Sequence, residues 1–399
     1  MRVLSIANVS NIDNPECDSG IIFQRLIADE LVNYGIQYDV LVPKTFSTAR
    51  EYCGAANAVE FPLGTTRYES RFSFDWNEFK RVITLLKPDV IFNSQVELTS
   101  AIRALLVTEG KTIPIVSYCH YPALWAGDGQ KPEKDASLDH AALWYPIVQD
   151  ILSALNTADR FIIQSDFAGK LVAAAASFYN VPKHREIGVV APPVDPAMLS
   201  DEPTEARLAR RRNRKVIYNH RLYASYGTQD FIDHISECLD LNCRFFISDP
   251  MGNRSMHRAF LSGSPADYRQ RLSAMPCVDV SPLGYSRAAY RGEILSSRVG
   301  IAAFRPACVW SMSALDCMGL GTPVIAPNYA SYPEFIPPEL LFNSVAEFRC
   351  LLVRLLEDDI FWCNASDQSR TMALRFSVQD SAARFFKMFS TLGDSACAV

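Results

Sequence analysis

The sequence predicts an α/β protein of two doubly wound parallel-sheet domains facing across a cleft, and three observations carry that prediction. Short apolar runs alternate with amphipathic stretches through the first half of the chain, the alternation breaks over 192–215, and it then restarts. Buried strands alternating with helices make a parallel sheet, because each crossover needs a helix to cover a face. A chain of 399 residues is also too long for one ordinary core.

In order, "RVLSIAN" (2–8) is a strand and "GIIFQRLIADELVNYG" (20–35) a helix whose apolar residues recur at helical spacing until Gly35 stops it. "YDVLVP", "KPDVIFNS", "IPIVSY", "ADRFIIQS" and "EIGVVAPPV" are further strands. The stretch "PPVDPAMLSDEPTEARLARRRNRK" has proline, charge and no apolar period, which reads as a linker. Beyond it come "VIYNH", helix 227–239, "CRFFIS", helix 264–273, "VDVSPLG", helix 286–296, "VGIAAF", helix 311–319 and "PVIAP". The tail "SVQDSAARFFKMFSTL" is one more amphipathic helix. The expected organisation is an N-terminal domain 1–195, a linker 196–214, a C-terminal domain 215–375, and a terminal helix 376–399 crossing back to the first domain. Ligands of such sheets bind beyond the carboxyl ends of the strands.

A net charge of −5 argues against a surface that binds polyanions throughout. The start lacks a basic region followed by a long apolar one, and "GKLVAAAASFYNV" is too short to span a bilayer. Eleven cysteines with no CxxC pair are expected as free thiols in a reducing cytoplasm. The histidines lack metal-ligand spacing and no D-x-D occurs, so the expectation is that no metal is required. "GLGTPV" contains a GxG, but the order is helix, glycines, strand. A dinucleotide fingerprint needs strand, glycines, helix, so Gly319 and Gly321 read as helix C-cap glycines.

Several segments together resemble the GT-B glycosyltransferases, most specifically the retaining glycosyltransferase 4 group. The resemblance is strongest over 216–335, in "YNHRLYASYGTQDFI" and "SMSALDCMGLGTPVIAPNYASYPEFI". "SGIIFQRLIADELVNYG", "SYCHYP" and "FIIQSDFAGKL" match it more weakly. The resemblance implies two Rossmann-like domains and a hexosyltransferase-like enzyme. Its donor is a nucleotide-diphosphate sugar, UDP- or GDP-linked, with no permanently bound cofactor. It also implies retention by front-face displacement, so a separate nucleophile–base pair is not required.

A leaving diphosphate needs charge stabilisation from Arg, Lys, amides or helix N-termini. The resemblance makes Arg221 the diphosphate contact; otherwise it is a surface arginine paired with a carboxylate. The family has a Lys where this chain has Tyr226, so one cation is missing, while Gly227 opens the next helix and its amides can receive a phosphate. Asp316 stands at the second carboxylate of the family's E-x7-E and implies a ribose contact. Cys308 stands at the first, and a thiol cannot replace a carboxylate there. Ser311 and Ser313 flank a helix N-terminus whose amides can bind phosphate or sugar oxygens. Gly20, beside Ser19, allows close backbone approach to the diphosphate or the acceptor, or serves as a turn residue. His120 ends a strand where the family's His meets a sugar hydroxyl. Ser165 and Asp166 serve equally as an N-cap, and Gly284 and Tyr285 match where the family holds the base.

The run Arg207, Arg210, Arg211, Arg212, Arg214, Lys215 reads as a solvated linker or as a contact for an anionic acceptor. The acceptor itself is open: glycan, lipid-linked group, small molecule or nucleic acid. The long polar segment 121–144, with Trp125, is expected as a lid. Rival readings are a degenerate relative that binds a nucleotide sugar or glycan without transfer, and an epimerase or phosphorylase of the same fold.

Overall fold

In a computed structural model, residues 1–7, 18–44, 52–63, 74–122, 124–126, 132–134, 144–182, 186–199, 204–249, 264–282 and 286–396 are described. The chain divides into unit 1, Met1–Pro193 with Val378–Val399, and unit 2, Val194–Ser377.

Unit 1 is built on a seven-stranded sheet of β1 (Arg2–Ile6), β2 (Gln37–Pro43), β3 (Asn57–Phe61), β4 (Val90–Asn93), β5 (Ile115–Cys119), β8 (Arg160–Ile163) and β9 (Ile187–Val189). Its order is β3-β2-β1-β4-β5-β8-β9, every pairing is parallel, and the direction of winding reverses between β1 and β4. β6 (Leu124–Ala126) and β7 (Pro132–Lys134) pair antiparallel inside the segment expected as a lid, most of which lies outside the described residues. β3 was not expected: it is an edge strand with one buried residue in five, so it lacks the apolar run that marks its neighbours.

Helix Ser19–Leu31 and the terminal helix Val378–Ala396 cover one face of this sheet. The terminal helix lies in the same core as the first because Ala382, Phe385 and Phe389, at i, i+3 and i+7, form one buried stripe. Phe385 packs against Phe23, Phe92 and Tyr118 with ring centroids 5.1–6.1 Å apart. Burying each such ring stabilises the unit by about 1.5–3 kcal/mol.

Unit 2 carries β10 (Lys215–Tyr218), β11 (Arg244–Ile247), β12 (Val278–Val280), β13 (Val299–Ile301), β14 (Val324–Pro327) and β15 (Leu341–Phe342) in the order β12-β11-β10-β13-β14-β15. All pairs are parallel and the winding reverses between β10 and β13. Helix Met312–Gly319 ends in a Schellman turn: the Gly321 amide donates to Met318 O at 2.9 Å and the Thr322 amide to Cys317 O at 2.9 Å. Gly321 takes the left-handed position, φ 75°, whereas Gly319 is the last helical residue rather than a cap.

Residues 196–214, expected as a linker, belong to unit 2 and contain the helix Thr204–Arg212. The basic run there is largely neutralised within the unit. Arg207 pairs with Asp367 at 2.6 Å, Arg211 with Asp359, Arg214 with Glu357 at 3.4 Å and Lys215 with Glu293. Arg210 is buried and donates to Leu320 O and Thr322 Oγ1, both at 2.9 Å. No apolar period announced this helix, and the buried side chain among those described in it is an arginine.

Candidate functional site

In unit 2 the winding reversal places the loops after β10 and β13 side by side, where ligands of open α/β sheets bind. Arg221 lies three residues beyond β10 and is half-buried. Among the described residues its guanidinium makes no hydrogen bond or ion pair, so the alternative of a carboxylate-paired surface arginine is not what the structure contains. The preceding His220 is buried, its ring edge-on to Tyr218 at 5.1 Å, and burial pushes its pKa down to about 3. It is neutral near pH 7, which leaves the loop's positive charge to Arg221.

Gly227 precedes helix Thr228–Ser236 with φ 64°, and a Cβ there would lie 2.1 Å from Phe304 O. Only glycine permits that approach of two backbones. The Gly227 amide itself donates to Ala224 O at 2.9 Å, so it is not the amide available to a phosphate. The amides of the helix's first turn follow it, and no side chain caps them. Tyr226 is half-buried and carries the Arg305 guanidinium over its ring at 4.8 Å, so a cation from the β13 loop stands beside the position where the expected lysine is missing.

Asp316 is only 4% exposed, and its carboxylate is engaged. Arg287 approaches with Nη1 3.2 Å from Oδ2 and Nη2 3.4 Å from Oδ1, and Tyr290 OH donates to Oδ2 at 3.1 Å. Arg287 also reaches Asp195 Oδ2 at 3.5 Å, and Asn219 Nδ2 donates to Tyr290 OH at 2.8 Å and Ser313 O at 3.0 Å. Burial pushes the Asp316 carboxyl above its ordinary pKa, with Arg287 pulling it back. Burial alone would lower the Arg287 pKa, but Asp316, Tyr290 and Asp195 reverse this and leave it raised. Arg287, Tyr290, Asn219 and Asp195 were missed by sequence reasoning, since partners 29 and 92 positions apart leave no local signal.

Ser311 is the N-cap of helix Met312–Gly319, accepting from the Ala314 amide at 3.2 Å, and Ser313 serves through its carbonyl. Cys308 is buried, its thiol pKa raised by burial, and donates weakly to Trp310 O at 3.5 Å. It fills core rather than presenting an acceptor. Gly284 and Tyr285 lie outside the described residues.

In unit 1, Gly20 sits in the first turn of its helix with its amide donated to Asp18 Oδ1 at 3.0 Å, and Asp18 caps Ile21 as well. An anion expected there would meet a buried carboxylate, which removes the reason for placing a diphosphate on Gly20. His120 directly follows β5, its ring edge-on to Phe23 and Tyr118 at 4.9 and 4.6 Å and its Nδ1 3.5 Å from Gln164 Nε2. Ser165 caps helix Asp166–Phe178 through the Ala168 amide at 3.1 Å. Among the described residues, no cluster of three His, Cys, Asp or Glu side chains is placed to hold a metal, and no helix is long and apolar enough to cross a membrane.

The two sheets, their strand orders and the loops at their reversals define the GT-B fold of glycosyltransferases. The chain is similar over 99% of its length to all of a sucrose-phosphate synthase from Thermosynechococcus elongatus, with 14% identity and a TM-score of 0.75. It is similar over 98% to 99% of the Anabaena protein HepE in complex with UDP and glucose, at 14% identity and TM-score 0.70. It also matches all of an α,α-trehalose-phosphate synthase (UDP-forming) from Burkholderia vietnamiensis over 98% of its own length, at 12% identity and TM-score 0.69. No protein-family model and no curated protein matches the sequence.

Proposed function

We propose that this chain is a glycosyltransferase that takes a sugar from a nucleotide-diphosphate donor, UDP-linked, with retention of configuration. The observation that carries the reading is Arg221: a half-buried guanidinium with no partner among the described residues, at the winding reversal of unit 2, in the loop that leads to a helix N-terminus no side chain caps. Such a pairing suits a diphosphate, since a fixed cation and first-turn amides stabilise the charge that grows on the leaving phosphate. Similarity in fold to proteins bound to UDP supports the choice of base.

In this reading the sugar C1–phosphate oxygen bond breaks as the acceptor oxygen bonds C1 on the same face, and the acceptor's proton passes to the departing phosphate. Arg221 and the helix amides hold that phosphate. Asp316 takes the ribose. Its two oxygens have about four acceptor sites, and the contacts with Arg287 and Tyr290 use three of them, which leaves one for a hydroxyl.

A second reading, a nucleotide-sugar binder without transfer, is favoured by Cys308, whose buried thiol leaves one expected sugar contact without a carboxylate. Incubation with UDP-, GDP- and ADP-glucose, following melting temperature and nucleoside diphosphate release, separates the two. Transfer predicts a UDP shift lost in Arg221→Ala together with UDP release. A shift without release supports the binder, and no shift with any nucleotide defeats both.

A further inference from the structure

A diphosphate ester carries a negative charge on each phosphate, and Arg221 opposes only one of them. The first turn of helix Thr228–Ser236 also contains Asp230, a carboxylate that works against an anion. A second cation is needed wherever such a group is held at this helix start. The stretches 219–227 and 302–311, the loops after β10 and β13, contain Arg221 and Arg305 and no aspartate, glutamate or lysine.

The backbone at Arg305 is held from both sides. Phe304 is 2% exposed, and its ring lies 4.5 Å from His234, 5.5 Å from Phe342 and 6.2 Å from Phe348. Phe304 O is the atom that a Cβ on Gly227 would strike, so the β13 loop lies directly against the start of helix Thr228–Ser236. Pro306 disfavours a helical backbone at residue 305, and the Cys308 amide donates to Arg305 O at 3.1 Å. Arg305 is therefore the residue next to the point where the two loops touch.

Its side chain is placed as well. Tyr226 closes the single 3-10 turn Ala224–Tyr226, and the Arg305 guanidinium lies over its ring at 4.8 Å. A ring face orients a guanidinium and leaves its charge and its in-plane N–H groups for another ligand. The charge is felt nearby: Arg305 pulls the pKa values of Cys308 and Tyr332 down against the burial that raises them.

We propose that Arg305, carried on the Tyr226 ring, is the second cation of the anion site in unit 2 and binds the diphosphate in place of a lysine at 226. The identity of the anion rests on the donor reading above. Tyr226 is then a positioning residue, and the cation comes from the β13 loop instead of the β10 loop.

The test is titration calorimetry of the full chain with UDP, GDP and ADP, using whichever the wild type binds for the variants. Arg305→Ala weakens that nucleotide by about 10–100-fold, the value of a hydrogen bond to a charged group. Tyr226→Leu weakens it by about 2–5-fold, the value of an exposed cation–π contact. Adding Tyr226→Lys to Arg305→Ala supplies the cation from the β10 loop and recovers most of the loss. A purely structural role for Arg305 would not be rescued by a lysine on a different loop. If Arg305→Ala binds like wild type while Arg221→Ala is defective, the proposal is overturned and the donor reading stands. If Arg305→Ala is defective while Arg221→Ala binds like wild type, Arg305 stays as the phosphate cation and Arg221 leaves the reading. The proposal is also overturned if Tyr226→Lys rescues nothing, or if the wild type binds none of the three nucleotides, which removes the donor reading with it.

Discussion

The two sheets have the same winding and the same place for ligands, yet their carboxyl edges are chemically opposite. In unit 2 the loops beyond β10 and β13 bring Arg221 and Arg305, with Arg287 seated on the carboxylates of Asp316 and Asp195. In unit 1 the corresponding edge offers carboxamides, a histidine and Glu97. On the proposed reading unit 2 holds an anion, and the edge of unit 1 has no comparable set of cations among the residues named. Topology fixes where a ligand goes, and the residues in the first few positions after each strand decide which ligand it is.

That contrast can be broken from either side. Phe385→Ala strikes unit 1 alone and is expected to cost about 3–5 kcal/mol in urea unfolding. The folded fraction should keep its UDP affinity, and a parallel loss would show that the anion site depends on unit 1. Arg287→Leu strikes unit 2 by leaving Asp316 without its cation. The expected cost is about 2–3 kcal/mol, less than for a sealed pair because Arg287 is partly exposed, and adding Asp316→Asn should recover most of it. Arg221→Ala should weaken UDP by about 10–100-fold in titration calorimetry, the value of a hydrogen bond to a charged group, without lowering stability.

His220 sharpens the contrast through pH. Its folded pKa of about 3 lies below its unfolded value, so the unfolded chain takes up the proton first on acidification. Its contribution is complete above about pH 6.5 and falls by about 1.4 kcal/mol for each pH unit below that, towards pH 3. Asp316, raised in the fold, acts with the opposite sign, so comparing wild type with His220→Asn between pH 7 and 5.5 isolates the histidine. The smallest effect belongs to the exposed basic run. Arg211→Gln should change stability by less than about 1 kcal/mol and leave UDP affinity unchanged, since Arg211 already pairs with Asp359.

Much of this fold was legible in the sequence. The helix ending at Gly35, the Schellman glycine at 321 and the caps Ser165 and Ser311 are all local devices, spelled by residues within one turn of each other. Arg221 was legible too, because its place depends only on where β10 ends. Asp316 was found as a position but not as an environment: its burial and its partner Arg287 come from another helix. Gly20 was read as room for the diphosphate or the acceptor, or as a turn residue, and its amide is taken by the neighbouring Asp18.

The sequence by itself determined the alternation of strands and helices, the two sheets and the loops that end at their carboxyl edges. Those follow from periodicity and turn chemistry acting over a few residues. Only the tertiary structure decided that the basic run is neutralised within unit 2, that Asp316 is held by Arg287 and Tyr290, and that Gln95 and Gln164 carry unpaired oxygens on one edge. Burial and pairing set the charge state and the availability of a polar group, and both depend on residues far away in the chain.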